Sequence, residues 1–277
     1  MNNTGRTRGR KKEDRALDIA ETKGEIFNIP VFSRHKNCLL KIIKGWLAEK
    51  EGEMRILVTI NPEHVMKALE DREYFRMLSR ESAINIADGT GLVWAQKVGL
   101  GGGWFKGLKI AVEVLRGRYL GEVIPGVELM ESLCGEGYEV GFLGGFKDRA
   151  RRTRDGLQKR FPKMKGVAIG SEFDSRTGEI MKILADNKVK VLFVAYGMVR
   201  QEKWLVANRG ALERAGVRLA MGVGRSFDYL SGDLRRAPRW VRKIGCEWLF
   251  SLFIEPKRWR RQAALVRFVI KVVTGRG

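Results

Sequence analysis

The chain has few of the residues on which metal or disulfide chemistry is built. Its 277 residues include 3 cysteines and 2 histidines. Cys38, Cys134 and Cys246 are scattered and odd in number, which points to reduced thiols rather than a disulfide framework. His35 and His64 form no spaced cluster, so no zinc site is expected. No Asp-x-Asp occurs and acids do not gather at a strand end, so an enzyme built around a carboxylate-held divalent cation is disfavoured. Neither G-x-G-x-x-G nor G-x-x-x-x-G-K-[ST] is present, which removes support for dinucleotide or P-loop chemistry. With only 6 prolines there is little room for a disordered linker. No run approaches the roughly 20 apolar residues that a spanning helix needs. The first fifteen residues lack the apolar stretch of a signal peptide, so secretion is not expected.

What the chain has in excess is positive charge: 53 Lys and Arg against 32 Asp and Glu, a net of +21. Such a surface needs a polyanionic partner, and nucleic acid, phosphorylated sugars and anionic lipid all qualify. Distribution narrows the choice. Residues 1–20 read as a basic mobile tail, of which Met1 to Arg15 holds Arg6, Arg8, Arg10, Lys11, Lys12 and Arg15 and almost no apolar residues. From Arg235 onward there are 12 Lys/Arg against Glu247 and Glu255, together with Trp240, Trp248, Trp259 and long aliphatic runs. That mixture suits a surface meeting anionic headgroups and the acyl boundary together. On a helical wheel Arg260, Arg267 and Lys271 fall in one narrow stripe of an otherwise apolar segment. Such a helix lies in the membrane plane, the placement taken here, or packs on the body with its stripe outward.

Between the two basic ends, short apolar runs alternate with helical patterns. Strands are predicted at 54–60, 82–87, 138–145, 166–170, 189–197 and 217–224. Helices are predicted at 62–78, 90–98, 147–160, near 179–186 and from about 201. This alternation predicts an α/β fold, a Rossmann-like and mostly parallel sheet flanked by helices on both faces. In such sheets ligands bind beyond the carboxyl ends of the strands. Candidates there are Thr59, Asn61, Asp88, Gly144, Gly145, Gly197, Gln201 and Gly222. Asp88 could take a proton from an acceptor hydroxyl or could simply cap the following helix. Gly144 and Gly145, with a basic helix behind them, could cradle a diphosphate or form a plain tight turn. Gln201 could fix a ligand hydroxyl or carbonyl, or complement a helix dipole together with Glu202. Gly99 to Gly107, with five glycines in nine residues, reads as a mobile lid or a long loop.

Eight fragments in order resemble the WecG/TagA/CpsF family of glycosyltransferases. They are TIN at Thr59–Asn61, ADGTG at Ala87–Gly91, FLGG at Phe142–Gly145 and YGMVRQEKW at Tyr196–Trp204. They continue with GVGRSFDYLSG at Gly222–Gly232, RAPRW at Arg236–Trp240, GCEWL at Gly245–Leu249 and EPKRWRR at Glu255–Arg261. The resemblance implies an inverting, metal-independent hexosyltransferase without a cofactor. Its donor would be a UDP-sugar of the N-acetylmannosamine type or a related one. Its acceptor would be a polyprenyl-diphosphate-linked sugar in cell-surface polysaccharide synthesis. Asp88 would be the general base, with Thr59, Asn61 and Gln201 around the sugar and acceptor. Gly89, Gly144, Gly145, Gly197 and Gly222 would line the nucleotide-sugar cleft. Arg236, Arg239, Arg258 and Arg261 would meet the acceptor diphosphate or lipid headgroups.

Three positions depart from the family pattern. Val199 stands where a proline is usual, a conservative loss of loop rigidity. Ser251 and Val123 stand where arginines are usual, and Lys257 and either Arg116 or Arg118 would substitute for them. Without compensation, the donor or acceptor differs or activity is weak.

These readings divide the chain into the tail (1–20), an α/β core (21–233) and a C-terminal membrane-associating appendage (234–277). They place it in the cytoplasm, peripherally on the inner membrane face, bound to an anionic surface, with a homo-oligomer left open and no nucleic acid expected. The competing readings are a scaffold that has lost catalysis and a basic nucleic-acid-binding protein.

Overall fold

The computed structural model describes residues 23–49, 52–170, 176–245, 247–254 and 259–275. The basic tail, Arg258, Lys257 and Cys246 fall outside them, as do the side chains of Trp248 and Arg261. The chain opens with β1 (Lys23–Ile26), β2 (Ile29–Phe32), α1 (Lys36–Ala48), β3 (Arg55–Ile60), α2 (Pro62–Glu70) and α3 (Arg72–Arg76). After a π turn at Met77–Glu81 come β4 (Ile84–Ala87), α4 (Thr90–Val98), α5 (Gly103–Leu115) and α6 (Gly126–Gly135). The second half runs β5 (Glu139–Gly144), α7 (Arg149–Arg160), β6 (Lys165–Ile169), α8 (Thr177–Asp186), β7 (Val191–Ala195), α9 (Arg200–Ala207), α10 (Arg209–Arg214) and β8 (Leu219–Gly222). It ends with α11 (Ser226–Leu230), α12 (Arg239–Lys243), α13 (Glu247–Ile254) and α14 (Trp259–Thr274).

One sheet of eight strands has the order β1-β2-β4-β3-β8-β7-β5-β6. Every pairing is parallel except β1 with β2. Strands such as RILVTI and VLFVA are apolar on both sides because helices cover both faces. One face packs against α2, α4, α8 and α9 through Val65, Leu92, Leu184 and Leu205; the other packs α1, α6, α7 and α11 through Ile43, Met130, Leu157 and Phe227. The antiparallel β1–β2 hairpin has no counterpart in the sequence reading. It turns on Phe27 (φ 51°) and Asn28 (φ 61°), both left-handed, as a two-residue hairpin turn requires.

The predicted helix over 62–78 is divided. Asn61 caps its start, accepting from the N–H groups of Glu63 (2.9 Å) and His64 (3.2 Å), and Pro62 occupies the first turn. Asp71 then caps a new helix by accepting from the Tyr74 N–H at 3.1 Å.

The C-terminal helix corrects the membrane-plane placement. α14 lies along α2 and also touches α4 and α5. Phe268 and Val272 are fully buried, and Phe268 meets Phe27 edge-on at 6.3 Å. Arg267 turns outward and pairs with Glu70 at 3.0 Å. The side of α14 that carries Ala264, Phe268 and Val272 thus belongs to the protein core, while Val266 and Ile270 stay exposed. Among the described residues no helix is long and apolar enough to cross a membrane.

Gly99 to Gly107 is neither a lid nor a long loop. Gly99, Gly101 and Gly103 take left-handed φ of 74°, 73° and 77°, which makes the α4–α5 turn tight. Gly107 sits inside α5, where a Cβ would lie 3.3 Å from Trp94 and 3.4 Å from Val273.

If α14 is core, Phe268→Ala leaves a cavity and costs about 3 kcal/mol of folding stability. Denaturant unfolding of the full chain checks this. A loss below about 1 kcal/mol would mean that α14 is peripheral to the fold.

Candidate active site

A cleft of about 1960 Å³ opens beyond the carboxyl ends of β3, β4, β7 and β8, as a parallel sheet dictates. It is lined by Thr59, Asn61, Asp88, Gly89, Gly145, Gly197, Arg236 and Arg239, which the sequence reading had singled out. Val123 and Ser251, two of the departing positions, also face it.

Asp88 stands at the end of β4, on the cleft floor. Its Oδ1 accepts the Gly126 N–H at 2.7 Å. It does not cap α4, whose N-cap is Gly89 with no side-chain bond. The strand end therefore presents the carboxylate to α6 and the cleft, and Oδ2 has no hydrogen-bond partner among the described residues. The residue is crowded by protein yet open to the solvent that fills the cleft. Crowding removes water from the carboxylate and pushes its pKa up to about 6. The Gly126 hydrogen bond and the Arg236 charge oppose the rise, while Glu247 and Glu128 add to it. Gly126 is small for a reason: a Cβ would lie 2.9 Å from the Thr59 methyl.

Thr59 and Asn61 flank this floor. The buried Thr59 hydroxyl donates to the Gly222 carbonyl at 3.1 Å, tying β3 to β8. Asn61 Oδ1 is occupied by the α2 cap and by His64 Nδ1 at 2.9 Å, so its NH2 end is the one that can meet a ligand. His64 itself lines the cleft, and burial lowers its pKa to about 4, so it is neutral. The sequence reading passed over His64; its signal was the i+3 spacing from Asn61 across a helix start.

Gln201 is not brought to the cleft. It is 1% exposed, its Nε2 donates to Glu202 at 2.7 Å and its Oε1 accepts the Gly224 N–H at 3.1 Å. Both ends of the amide are used inside the protein, so it positions the β8 turn instead of meeting ligand. Gly222 belongs to the same packing: a Cβ there would lie 2.7 Å from Gln201 Nε2. Gly144 and Gly145 form a left-handed turn (φ 83° and 79°), and the Gly145 N–H is donated to Ala195 at 3.1 Å. That N–H is not available to a diphosphate, and of the two glycines only Gly145 faces the cleft.

Val199 is not a conservative replacement for proline. Its φ is 71° and its N–H donates to Glu202 Oε2 at 2.6 Å, whereas proline fixes φ near about −65° and has no N–H. Burial pushes Glu202 up from 4.5 to about 7, against the donors from Gln201 and Val199.

The rim is cationic but compensated. Arg242 and Arg236 share Glu128 Oε1 at 2.8 Å and 3.3 Å, and Arg236 also reaches Glu247 at 3.2 Å. These pairs fasten the segment from Arg236 to Glu247 across the cleft, helped by the Thr90 hydroxyl donating to Gly245 at 3.3 Å. Arg239 lines the cleft and is exposed. Arg242, Arg200 and Arg225 line it too, whereas Arg116 and Arg118 do not, and Arg118 pairs with Glu113 at 3.0 Å. The proposed substitution by Arg116 or Arg118 is thereby corrected. Among the described residues no three His, Cys, Asp or Glu side chains are grouped to hold a metal ion.

Because Glu202 has its folded-state pKa raised above the unfolded 4.5, its contribution is present below pH 4.5 and is lost as pH rises through about 7. Relative to Glu202→Gln, the wild type should lose stability on the order of 3 kcal/mol across that window. Urea unfolding of both proteins at pH 4.5, 6 and 8 measures it, and parallel curves would refute the assignment.

The cleft, its carboxylate floor and its arginine rim can be set beside known proteins. The profile of the glycosyl transferase WecG/TagA/CpsF family matches residues 24–103 and 106–276. An N-acetylglucosaminyldiphosphoundecaprenol N-acetyl-beta-D-mannosaminyltransferase of Bacillus subtilis (strain 168) is 25% identical over 253 residues, 90% of each chain. A protein of the same name from Staphylococcus aureus (strain MRSA252) is 27% identical over 238 residues, 84% of this chain and 85% of its own. The chain belongs to the WecG/TagA/CpsF family of glycosyl transferases.

Proposed function

We propose that the chain is an inverting, metal-independent hexosyltransferase. It moves an N-acetylmannosamine-type sugar from a UDP donor to a polyprenyl-diphosphate-linked N-acetylglucosamine, in the assembly of a cell-surface polysaccharide. The names of the two relatives support the sugar and the acceptor. The observation that carries the reading is the Asp88 carboxylate, held through one oxygen by Gly126 and facing the cleft with the other. With a pKa near 6 it is ionised at neutral pH yet more basic than an ordinary aspartate, as a general base for a sugar hydroxyl should be.

In the proposed step the acceptor hydroxyl gives its proton to Asp88 Oδ2 as its oxygen bonds to the anomeric carbon. The bond from that carbon to the UDP oxygen breaks, the electron pair leaves with UDP, and the configuration inverts. The diphosphate gains charge as it departs, and the rim arginines Arg236, Arg239 and Arg242 are placed to neutralise it. The Asn61 NH2 group supplies a neutral donor beside the sugar. The protein works at the inner membrane face, where such an acceptor lipid is anchored.

UDP release from UDP-N-acetylmannosamine, with a short-chain prenyl-diphosphate-N-acetylglucosamine acceptor, tests this directly. Release should require the acceptor and fall by roughly 10²–10⁴-fold in Asp88→Asn. The wild-type kcat/KM should decline as pH drops through about 6, because protonated Asp88 cannot accept the proton. Undiminished turnover by Asp88→Asn would remove it as the base. UDP binding without turnover of any donor would favour a scaffold that has lost catalysis.

A further inference from the structure

α5 is apolar on two sides, and only one is used by the fold. Its inner side packs on α4 and α14: Val114 is buried, and the Trp94 indole N–H donates to the Gly107 carbonyl at 2.9 Å. Its outer side carries Trp104, Phe105, Leu108, Val112 and Leu115, which fall within an arc of about 100° on a helical wheel. Phe105 is 86% exposed, Leu108 67% and Trp104 62%. A core helix has no reason to present that stripe, and five such side chains on one helix are not the scattered exposure of an ordinary surface. Phe105 and Trp104 are also the two residues that lie between the two stretches matched by the family profile.

The chemistry beside the stripe identifies what covers it. Exposed Lys109 borders it along the helix and Lys106 lies on the flank beyond, while Arg116 and Arg118 follow its C-terminal end. Glu113 is the one acid of the helix, and it is held by Arg118 and by the Tyr119 hydroxyl at 2.6 Å. An apolar arc edged by long cationic side chains matches the boundary between acyl chains and anionic headgroups, with lysines reaching up to the phosphates. We infer that α5 is an element that lies in the surface of an anionic lipid bilayer.

The placement is useful for the reaction. α4 starts at the cleft with Thr90 and is joined to α5 by a four-residue turn, so the two packed helices run antiparallel. The far end of α5 therefore returns toward the cleft, and the chain re-enters its wall at Val123 and Pro125. A bilayer resting on α5 brings the cleft mouth to the lipid surface, which is where an acceptor on a polyprenyl anchor presents its sugar. This use of the helix rests on the transferase reading, whereas the bilayer contact itself does not.

The test uses the full chain and two variants at exposed positions, Phe105→Ser/Leu108→Ser and, on α13, Phe253→Ser. Flotation is measured with vesicles of phosphatidylglycerol and phosphatidylethanolamine, and with vesicles of phosphatidylcholine alone. The wild type should float with the anionic vesicles and much less with the neutral ones. The double variant should lose about tenfold or more in partitioning, with Phe253→Ser losing less. Its melting temperature, and its UDP release with a water-soluble acceptor in the absence of vesicles, should match the wild type. Failure of that release in the wild type itself would count against the transferase reading and leave the flotation result standing. Unchanged flotation of the double variant would overturn the inference. So would a dimer that dissociates in the double variant while flotation persists, since the face would then be covered by a second copy of the chain.

Discussion

A sheet buried on both faces leaves no room along its strands for unsatisfied polar groups, and the rest of this molecule follows from that constraint. β3, β4, β5, β7 and β8 are almost wholly apolar. The exceptions find partners within the protein, as where the Thr59 hydroxyl donates to the Gly222 carbonyl and the Asn85 NH2 group donates to the carbonyls of Pro30 and Leu78, although Asn85 Oδ1 is left without one. Chemistry is pushed to the strand ends, where Asn61, Asp88, Gly197 and Gly224 emerge together on one side because every strand of the central set runs the same way. The position of Asp88 is thus a consequence of the sheet. Its raised pKa follows from the same crowding, since the walls that define the cleft displace part of the water around a carboxylate that still faces the open cleft.

That logic explains what could be read from the chain. Six of the seven strands in parallel pairings, β3 to β8, are largely apolar runs, so their existence was legible, and with them Thr59, Asn61 and Asp88 as strand-end residues. Gln201 was legible only as a residue beside a strand end. Sequence position cannot tell whether an amide faces the cleft or turns back onto the β8 loop, and here both of its ends are consumed by Glu202 and Gly224. The β1–β2 hairpin escaped because its strands have four residues each, and its turn relies on Phe27 at positive φ, which no propensity suggests. α14 misled for a physical reason as well. An apolar face with a cationic stripe is equally suited to a bilayer and to a protein core, and only the presence of Phe27 and α2 opposite Phe268 decides the matter.

The loop after β7 concentrates the local cost of the site. Val199 is β-branched and sits at φ 71°, a conformation that costs on the order of 1–3 kcal/mol. It is held by the Glu202 carboxylate, itself buried and reluctant to ionise. Glu202 in turn accepts from Gln201, whose carbonyl oxygen fixes the Gly224 N–H at the end of β8. Strain at one strand end is thereby coupled through three side-chain contacts to the backbone of the next. Gly222 has to be glycine for the same reason, since any Cβ would strike this amide–carboxylate pair. The network adds rigidity directly beneath the cleft, where a loop in an open sheet would otherwise be free to drift.

The rim is built in the opposite manner. Arg236 and Arg242 are paired with Glu128 and Glu247 at the edge of a water-filled cleft, and partly exposed pairs of this kind contribute roughly 0–1 kcal/mol each. They are sufficient to keep α12 and the start of α13 in place over the cleft, and weak enough to be exchanged. In the proposed reaction a diphosphate entering beneath them would present more charge than one carboxylate and take the guanidinium groups at little cost. The acids then act as placeholders that hold the arginines in position before ligand arrives, sparing the ligand the entropy of ordering them. Rigid strand ends below and exchangeable ion pairs above give the cleft a fixed floor and an adaptable roof. This division suits the proposed reaction, in which the base must be placed to within a fraction of an ångström while a donor and an acceptor, each carrying a diphosphate, enter and UDP departs.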